Sequence, residues 1–513
     1  MHTTVHAGTV IGIRGLVIEV EVDIARGIPC FSIVGMPNTA VRESRERVTA
    51  AIKNSDWEFP LERITVNLAP ADVRKEGAAF DVAIAVGILL SSEQIPRERI
   101  GELKNTILFG ELALDGSIRR VPGVLALLVH AREAGYRRAI VPIENYDESL
   151  AVEGMEVIAC ARLRDAVQIL FTDDDEGAEY RLKPADVAAP VIEARAPHAT
   201  HAQHSTIDLS DVRGQETAKR ALTIAAAGGH HILMTGPPGA GKTMLARRFA
   251  TLLPHLGREA SMETTMIYSS IGLLGNRGLI TIAPFRSPHH SASDAGMIGG
   301  GNMPRPGEIT LAHNGVLFLD ELPEFRRHVL ETLREPLEDG VITISRAQGA
   351  VTFPARFQLV AAMNPCPCGY MGSSARQCKC SPMMIEKYVA KISGPLLDRI
   401  SLHVNVQAVD PEALTTEARG ENSDTVRERV IAAHRLQKNR GCTNAQILER
   451  EFGKSIQVDA DALALLSQAQ NRLRISARGR VHILRVSRTI ADLEESELIA
   501  VEHVAESIQY RVR

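Results

Sequence analysis

Apolar and polar positions alternate in "GLVIEVEVDI", Gly15 to Ile24, and again in "RITVNLAP", Arg63 to Pro70. Period two is the pattern of strands with one buried and one wet face. Between them "NTAVRESRERVTAAIKNS", Asn38 to Ser55, spaces its apolar residues as a helix does. Residues 1–170 therefore read as an α/β or α+β domain. From Phe171 to Ser205 the periodicity disappears while Asp, Ala, Pro and His accumulate, so 171–205 reads as a flexible linker. Strand-like apolar runs then alternate with helices over 206–405, and 406–513 reads as helical. That order is an α/β core followed by a helical lid.

A length of 513 residues accommodates about three domains. With 58 basic and 62 acidic residues interspersed, net charge is −4, so any nucleic-acid contact must come from a local surface. The start, "MHTTVHAGTVIGIRG", lacks the charged head and apolar core of an export signal. No stretch reaches the roughly 18 uncharged apolar residues of a membrane span; even "AAFDVAIAVGILL" carries Asp81. The chain is expected to be cytoplasmic, without a membrane partner and with reduced thiols.

The run "HHILMTGPPGAGKTMLARRFA" sets G-x-x-x-x-G-K-[ST] between an apolar strand and an amphipathic helix. Backbone N–H groups of Gly236, Pro237, Pro238, Gly239, Ala240 and Gly241, Pro excepted, can close around phosphate oxygens. Lys242 can reach the β and γ phosphates, and the Thr243 hydroxyl can sit on Mg²⁺. The motif thus implies ATP with Mg²⁺. In "GVLFLDELPEF" a buried-strand run ends in two acids: Asp320 suits the Mg²⁺ shell and Glu321 the polarisation of an attacking water. A third such run, "RFQLVAAMNP", ends at Asn364, a neutral group able to position that water. Arg399 in "SGPLLDRISLHV" and Arg478 in "ISARGRVHILRVSRTIADL" offer guanidinium forks for phosphate. Taken singly, acids at strand ends are as well read as solvated turns, and each Arg as a surface ion pair.

Four of the seven cysteines stand as C-x-C-x9-C-x-C: Cys366, Cys368, Cys378 and Cys380. Two thiolate pairs suffice for tetrahedral Zn²⁺ and leave no open position for chemistry; unligated thiols and an iron–sulfur or redox centre are the alternatives. The cluster contains no His to act as base, against a catalytic thiol.

The succession "DVRGQETAKRAL", "GPPGAGKT", "FLDE", Asn364, Arg399 and Arg478 resembles an AAA+ ATPase. The stretch "LREPLEDGVITISRAQGAVTFPARFQLVAAMNPCPCG" is similar to the magnesium-chelatase-like branch, within it to competence-associated bacterial members. The resemblance covers the chain end to end apart from the linker, with the four-cysteine stretch an insertion at 366–380 in the core. It implies a homo-hexameric ring with Asn364 as sensor 1, Arg399 as a finger acting in trans and Arg478 as sensor 2. It further implies a DNA helicase or branch-migration motor in recombination during natural transformation, working with recombination proteins. Single-stranded, duplex or branched DNA would pass its central channel. The rival is a chelatase-type motor that remodels a metal-inserting partner. The family tends to carry a further basic residue where this chain has His482.

"VRKEGAAFDVAIAVGILL" with "ILFGELALDGSIRRVPGVLALL" resembles the Lon-type protease domain, of the ribosomal S5 domain 2-like fold. Positions matching its Ser and Lys are Ala79 and Leu125, which neither attack a carbonyl nor accept a proton. The domain therefore reads as an inactive scaffold, and a Lon-like protease is disfavoured. Two segments are candidates for touching a polymer: the Gly-rich loop Ala283–Glu308, with Arg286, His289, His290 and Arg305, and a hairpin over Val341–Phe353 with Arg346 near its tip. Cations there would track a phosphate backbone; the alternative is loop stabilisation.

Overall fold

A computed structural model describes residues 2–95, 100–171, 207–275, 277–301, 304–346, 349–372, 376–407, 420–454 and 456–511. Residues 172–205, nearly all of the segment read as a linker, lie outside the described residues. The described residues form two compact units, the first built from the N-terminal part of the chain.

The alternating run becomes β2 (Arg14–Ala25), antiparallel to β1 (His2–Ile11). Gly12 opens the two-residue turn at φ 67°, a left-handed conformation free of Cβ strain in glycine. Ile18, Val20, Val22 and Ile24 are buried while Glu19 and Asp23 are exposed, as period two requires. With β3 (Cys30–Val34), α1 (Thr39–Asn54), β4 (Arg63–Ala69), α2 (Asp81–Ser91), β5 (Thr106–Leu108), α3 (Val124–Glu133), β6 (Arg138–Pro142), β7 (Glu156–Cys160) and α4 (Leu163–Phe171), the first unit forms a seven-stranded sheet. Its order is β3-β4-β2-β1-β5-β6-β7. Helix α2 is buried along its whole length, which explains an apolar run interrupted only by Asp81. That carboxylate is itself fully buried; it accepts from Arg47 Nε at 2.6 Å and from the Leu112 N–H at 3.2 Å.

After α5 (Glu216–Gly228), β8 (Ile232–Thr235) and α6 (Lys242–Leu252), which belong to the second unit, α7 (Arg258–Ser270) belongs to the first. Met262, Met266 and Leu279 pack on the cluster that holds Val124, Leu125, Leu128 and Ala79. The Ser269 hydroxyl donates to the buried Glu148 carboxylate at 2.5 Å. Residues 258–281 thus leave the sequence segment 206–405 and complete the N-terminal unit's core.

The second unit continues with β9 (Phe285–Arg286), β10 (Val316–Leu319), α8 (Arg334–Asp339), the hairpin β11 (Val341–Arg346) and β12 (Gly349–Pro354), β13 (Gln358–Met363), α9 (Pro382–Val389) and β14 (Leu402–Asn405). Five strands pair in parallel in the order β9-β10-β13-β8-β14. Their near-continuous apolar sequences are those of a parallel sheet covered on both faces. The C-terminal part holds α10 (Ser423–Arg440), whose Val426, Val430 and Ala433 join the core of the five-stranded sheet, and α11 (Ala460–Leu473), α12 (Ala477–Leu493) and α13 (Val501–Gln509), packed around Ile447, Leu466, Ile483 and Val504. Among the described residues no helix is long and apolar enough to cross a membrane.

Removing one partner of a buried ion pair strands the other charge, at a cost of about 3–5 kcal/mol. Asp81→Ala is therefore expected to destabilise the first unit by about 3 kcal/mol, read as faster amide exchange along α2. Exchange as slow as in the parent chain would contradict the assignment.

Candidate functional site

Strand order builds this site. Leu319 pairs with Ala361 and Thr235 with Met363, so the carboxyl ends of β10, β13 and β8 lie side by side. Each strand is followed at once by chemistry: Asp320 and Glu321, then Asn364, then the phosphate loop Gly236–Thr243. Gly236 lies so close to Val406 that a Cβ would fall 2.1 Å from its carbonyl oxygen. Gly239 and Gly241 hold φ of 79° and 88°, so the loop curls back before α6 begins.

Lys242 is almost fully buried, and its Nζ donates to Gly236 O at 2.7 Å, Pro237 O at 3.0 Å and Asn364 Oδ1 at 3.1 Å. Burial lowers its pKa, and Asp320 and Glu321 act in the opposite direction. Thr243 Oγ1 donates to Asp320 Oδ2 at 2.7 Å, a hydroxyl–carboxylate pair able to share a divalent cation. Glu321 sits at φ 51°, a left-handed conformation that strains a non-glycine residue. Its carboxylate lies 3.3 Å from His290 Nδ1, and the His290 ring lies 4.1 Å from that of His289. The structure thus brings together Lys242, Thr243, Asp320, Glu321 and Asn364, and adds His290. Their donors suit a triphosphate with its cation: amide and ammonium groups for the oxygens, hydroxyl and carboxylate for the metal.

Arg399 and Arg478 meet elsewhere. Both donate to Glu338 on α8, Arg399 at 2.5 Å and Arg478 at 2.9 Å. Arg399 is buried, with its Nη1 on Pro395 O at 2.7 Å and its Nε without a partner among the described residues. The Arg399 guanidinium, the largest cause, holds the Glu338 carboxyl below the usual range. His482 is no cation here: burial pushes its imidazole far down, and its Nδ1 bonds the Ser401 hydroxyl at 2.9 Å.

Of the residues read as polymer contacts, Arg286 forms a two-pronged pair with Glu308, both at 2.6 Å, and His290 faces Glu321. His289 is exposed with its Nδ1 at the Ser291 hydroxyl. Arg346 pairs in register with Gly349, but its side chain and the tip residues 347–348 lie outside the described residues. The four cysteine sulfurs lie within 4.8 Å of one another, with Cys366 buried. That donor set fits a structural dication closed to further ligands. Glu338 and the pairing of His290 with Glu321 are invisible in the sequence, since the partners belong to different elements, 31 residues apart for His290 and Glu321 and 140 for Glu338 and Arg478, and leave no local pattern.

Residues 208–414 match the family described as "Magnesium chelatase, subunit ChlI", residues 420–511 its C-terminal family and residues 20–145 "Subunit ChlI of Mg-chelatase". The protein YifB of Escherichia coli K12 is 42% identical over 510 residues, covering 99% of this chain and 96% of YifB. Competence protein ComM of Haemophilus influenzae is 42% identical over 99% of this chain and 97% of its own length. Lon protease 2 of Bacillus subtilis is 30% identical over 138 residues, 26% of this chain and 23% of that protease.

A carboxyl whose pKa is depressed by folding adds stability above its unfolded value and loses it as pH falls through the folded one. The parent is accordingly expected to exceed Glu338→Gln by about 1 kcal/mol at neutral pH, a gap that closes below the ordinary glutamate value of about 4.3. Urea unfolding over a pH series reads this, and a gap independent of pH would contradict it.

Proposed function

The chain belongs to the magnesium-chelatase-like AAA+ family, in the branch of YifB and ComM, and on that premise we propose that it is an ATP-hydrolysing motor acting on DNA. The observation that carries the hydrolytic part is the meeting of Lys242 with Asn364, and of Thr243 with Asp320, at three neighbouring strand ends. Loop N–H groups and Lys242 hold the phosphates, Thr243 and Asp320 hold Mg²⁺, Glu321 draws a proton from the attacking water and Asn364 orients it. Arg399 reaches the γ-phosphate of a neighbouring copy in a homo-hexamer, with Arg478 as sensor 2. Magnesium would supply charge neutralisation at the β and γ oxygens.

The DNA part is supported by the likeness to the Haemophilus relative, a competence protein. It extends to helicase or branch-migration activity in recombination, together with recombination proteins. Arg305, Arg346 and the exposed His289 are left for tracking a backbone. The N-terminal unit serves as an inactive Lon-like scaffold, since Ala79 and Leu125 lie in one apolar cluster. The four cysteines hold structural zinc. The chelatase-type reading, a motor remodelling a metal-inserting partner, is supported by the descriptions of the matching families.

Lys242→Ala is expected to weaken ATP binding about a hundredfold, the scale of about 3 kcal/mol in hydrogen bonds to a charged group. Glu321→Gln should keep binding and lower turnover by about 10²–10⁴-fold, as loss of a general base does. Undiminished hydrolysis in both variants would remove the site assignment. The substrate reading is tested by the ATPase rate with branched, single-stranded and duplex DNA: stimulation by one of them is expected. A rate indifferent to every DNA and raised by a protein partner favours the chelatase-type reading.

A further inference from the structure

Both arms of the cysteine cluster return to Asn364. In the first arm, Cys366 follows Asn364 by two residues and its carbonyl accepts from the Gly369 N–H at 2.9 Å. That turn holds Gly369 at φ 85°, so near the phosphate loop that a Cβ would fall 2.6 Å from Pro238 Cδ and 3.8 Å from Asn364 Cγ. In the second arm, Cys378 and Cys380 lead directly into Ser381, whose hydroxyl caps α9 on the Met384 N–H. Helix α9 carries the buried Tyr388, whose hydroxyl lies near the Asn364 backbone and Cys366. The arms meet through sulfur: Cys366 and Cys368 each lie 3.6 Å from Cys378.

This rests on the reading of the four cysteines as a zinc site. Bare thiolates packed so closely repel, whereas a dication holds them and with them the two arms. We infer that metal occupancy of the Cys366–Cys368–Cys378–Cys380 site fixes Asn364 and the phosphate loop beside it, so that this site governs nucleotide turnover without touching nucleotide. The four cysteines, Gly369 and Tyr388 are positioning residues. Lys242 and the loop N–H groups bind phosphate whichever way the Asn364 amide faces, so occupancy acts on kcat more than on nucleotide affinity.

The experiment uses the full chain, purified with zinc, then stripped by a chelator and reloaded with Zn²⁺ alone. One zinc per chain is expected. Stripping should speed amide exchange at 236–243 and Asn364 and lower kcat, each about tenfold, while the dissociation constant of a non-hydrolysable ATP analogue changes about twofold or less; reloading restores both. Tyr388→Phe keeps all four thiols and is expected to retain zinc, with kcat about fivefold lower and KM unchanged, the scale of one polar contact beside Asn364. If the stripped chain unfolds, Tyr388→Phe and Gly369→Ala decide by the same measurements. A chain that binds no zinc removes the zinc reading itself. Bound zinc with exchange and kcat unchanged on stripping and in both variants overturns the coupling and leaves the zinc site a brace.

Discussion

The Lys242 ammonium is the interaction on which the second unit's site depends. A nearly buried cation surrounded by carbonyl dipoles alone would be expensive, and the carbonyls of Gly236, Pro237 and Asn364 compensate it only in part. Asp320 and Glu321 offset burial further without cancelling it, since the pKa of Lys242 stays lowered. The acids close β10, the amide closes β13 and the loop follows β8, so the neighbour order β10-β13-β8 brings all three to one ammonium. The same geometry supplies positive donors in the centre and a carboxylate–hydroxyl pair beside them, the division a triphosphate and its cation need.

What was legible in the sequence was what chain continuity enforces. The phosphate loop, Asp320 with Glu321, and Asn364 each follow an apolar run at once, so a strand that forms must present them at its end. The hairpin over 341–354 was legible for a similar reason, its alternating residues pairing in register from Val341↔Pro354 to Arg346↔Gly349. Three features were not legible. Glu338 carries nothing in its neighbourhood to tell it from other surface acids, and its partners lie far along the chain. His290 resembles one of a pair on an open loop until the fold brings it to Glu321. Residues 258–281 alternate polar and apolar as any core segment would, and only packing reveals that Met262 and Met266 complete the N-terminal unit.

The shared carboxylate changes how the two arginines work together. The resemblance gives Arg399 and Arg478 separate duties, yet both hold Glu338, and Arg334 adds a third positive charge to the same group. Arg334 has its own partner in Glu331 at 3.2 Å, and the buried Arg399 Nε has no partner among the described residues. Because both guanidinium groups hold one carboxylate, a change at either is felt by the other through Glu338.

The N-terminal unit turns on the opposite trade. Where a protease of this fold needs a hydroxyl and an amine, Ala79 and Leu125 join one apolar cluster with Val124, Leu128 and Phe109. A fully buried leucine contributes about 1.5–3 kcal/mol relative to exposure, while an unpaired buried lysine in its place would subtract from the core. The two positions therefore serve packing. Met262, Met266 and Leu279, from a segment that begins within a few residues of the helix bearing Lys242, insert into that same cluster. Residues 258–281, continuous in the chain with the helix that bears Lys242, thus pack on a core that is apolar at both Ala79 and Leu125.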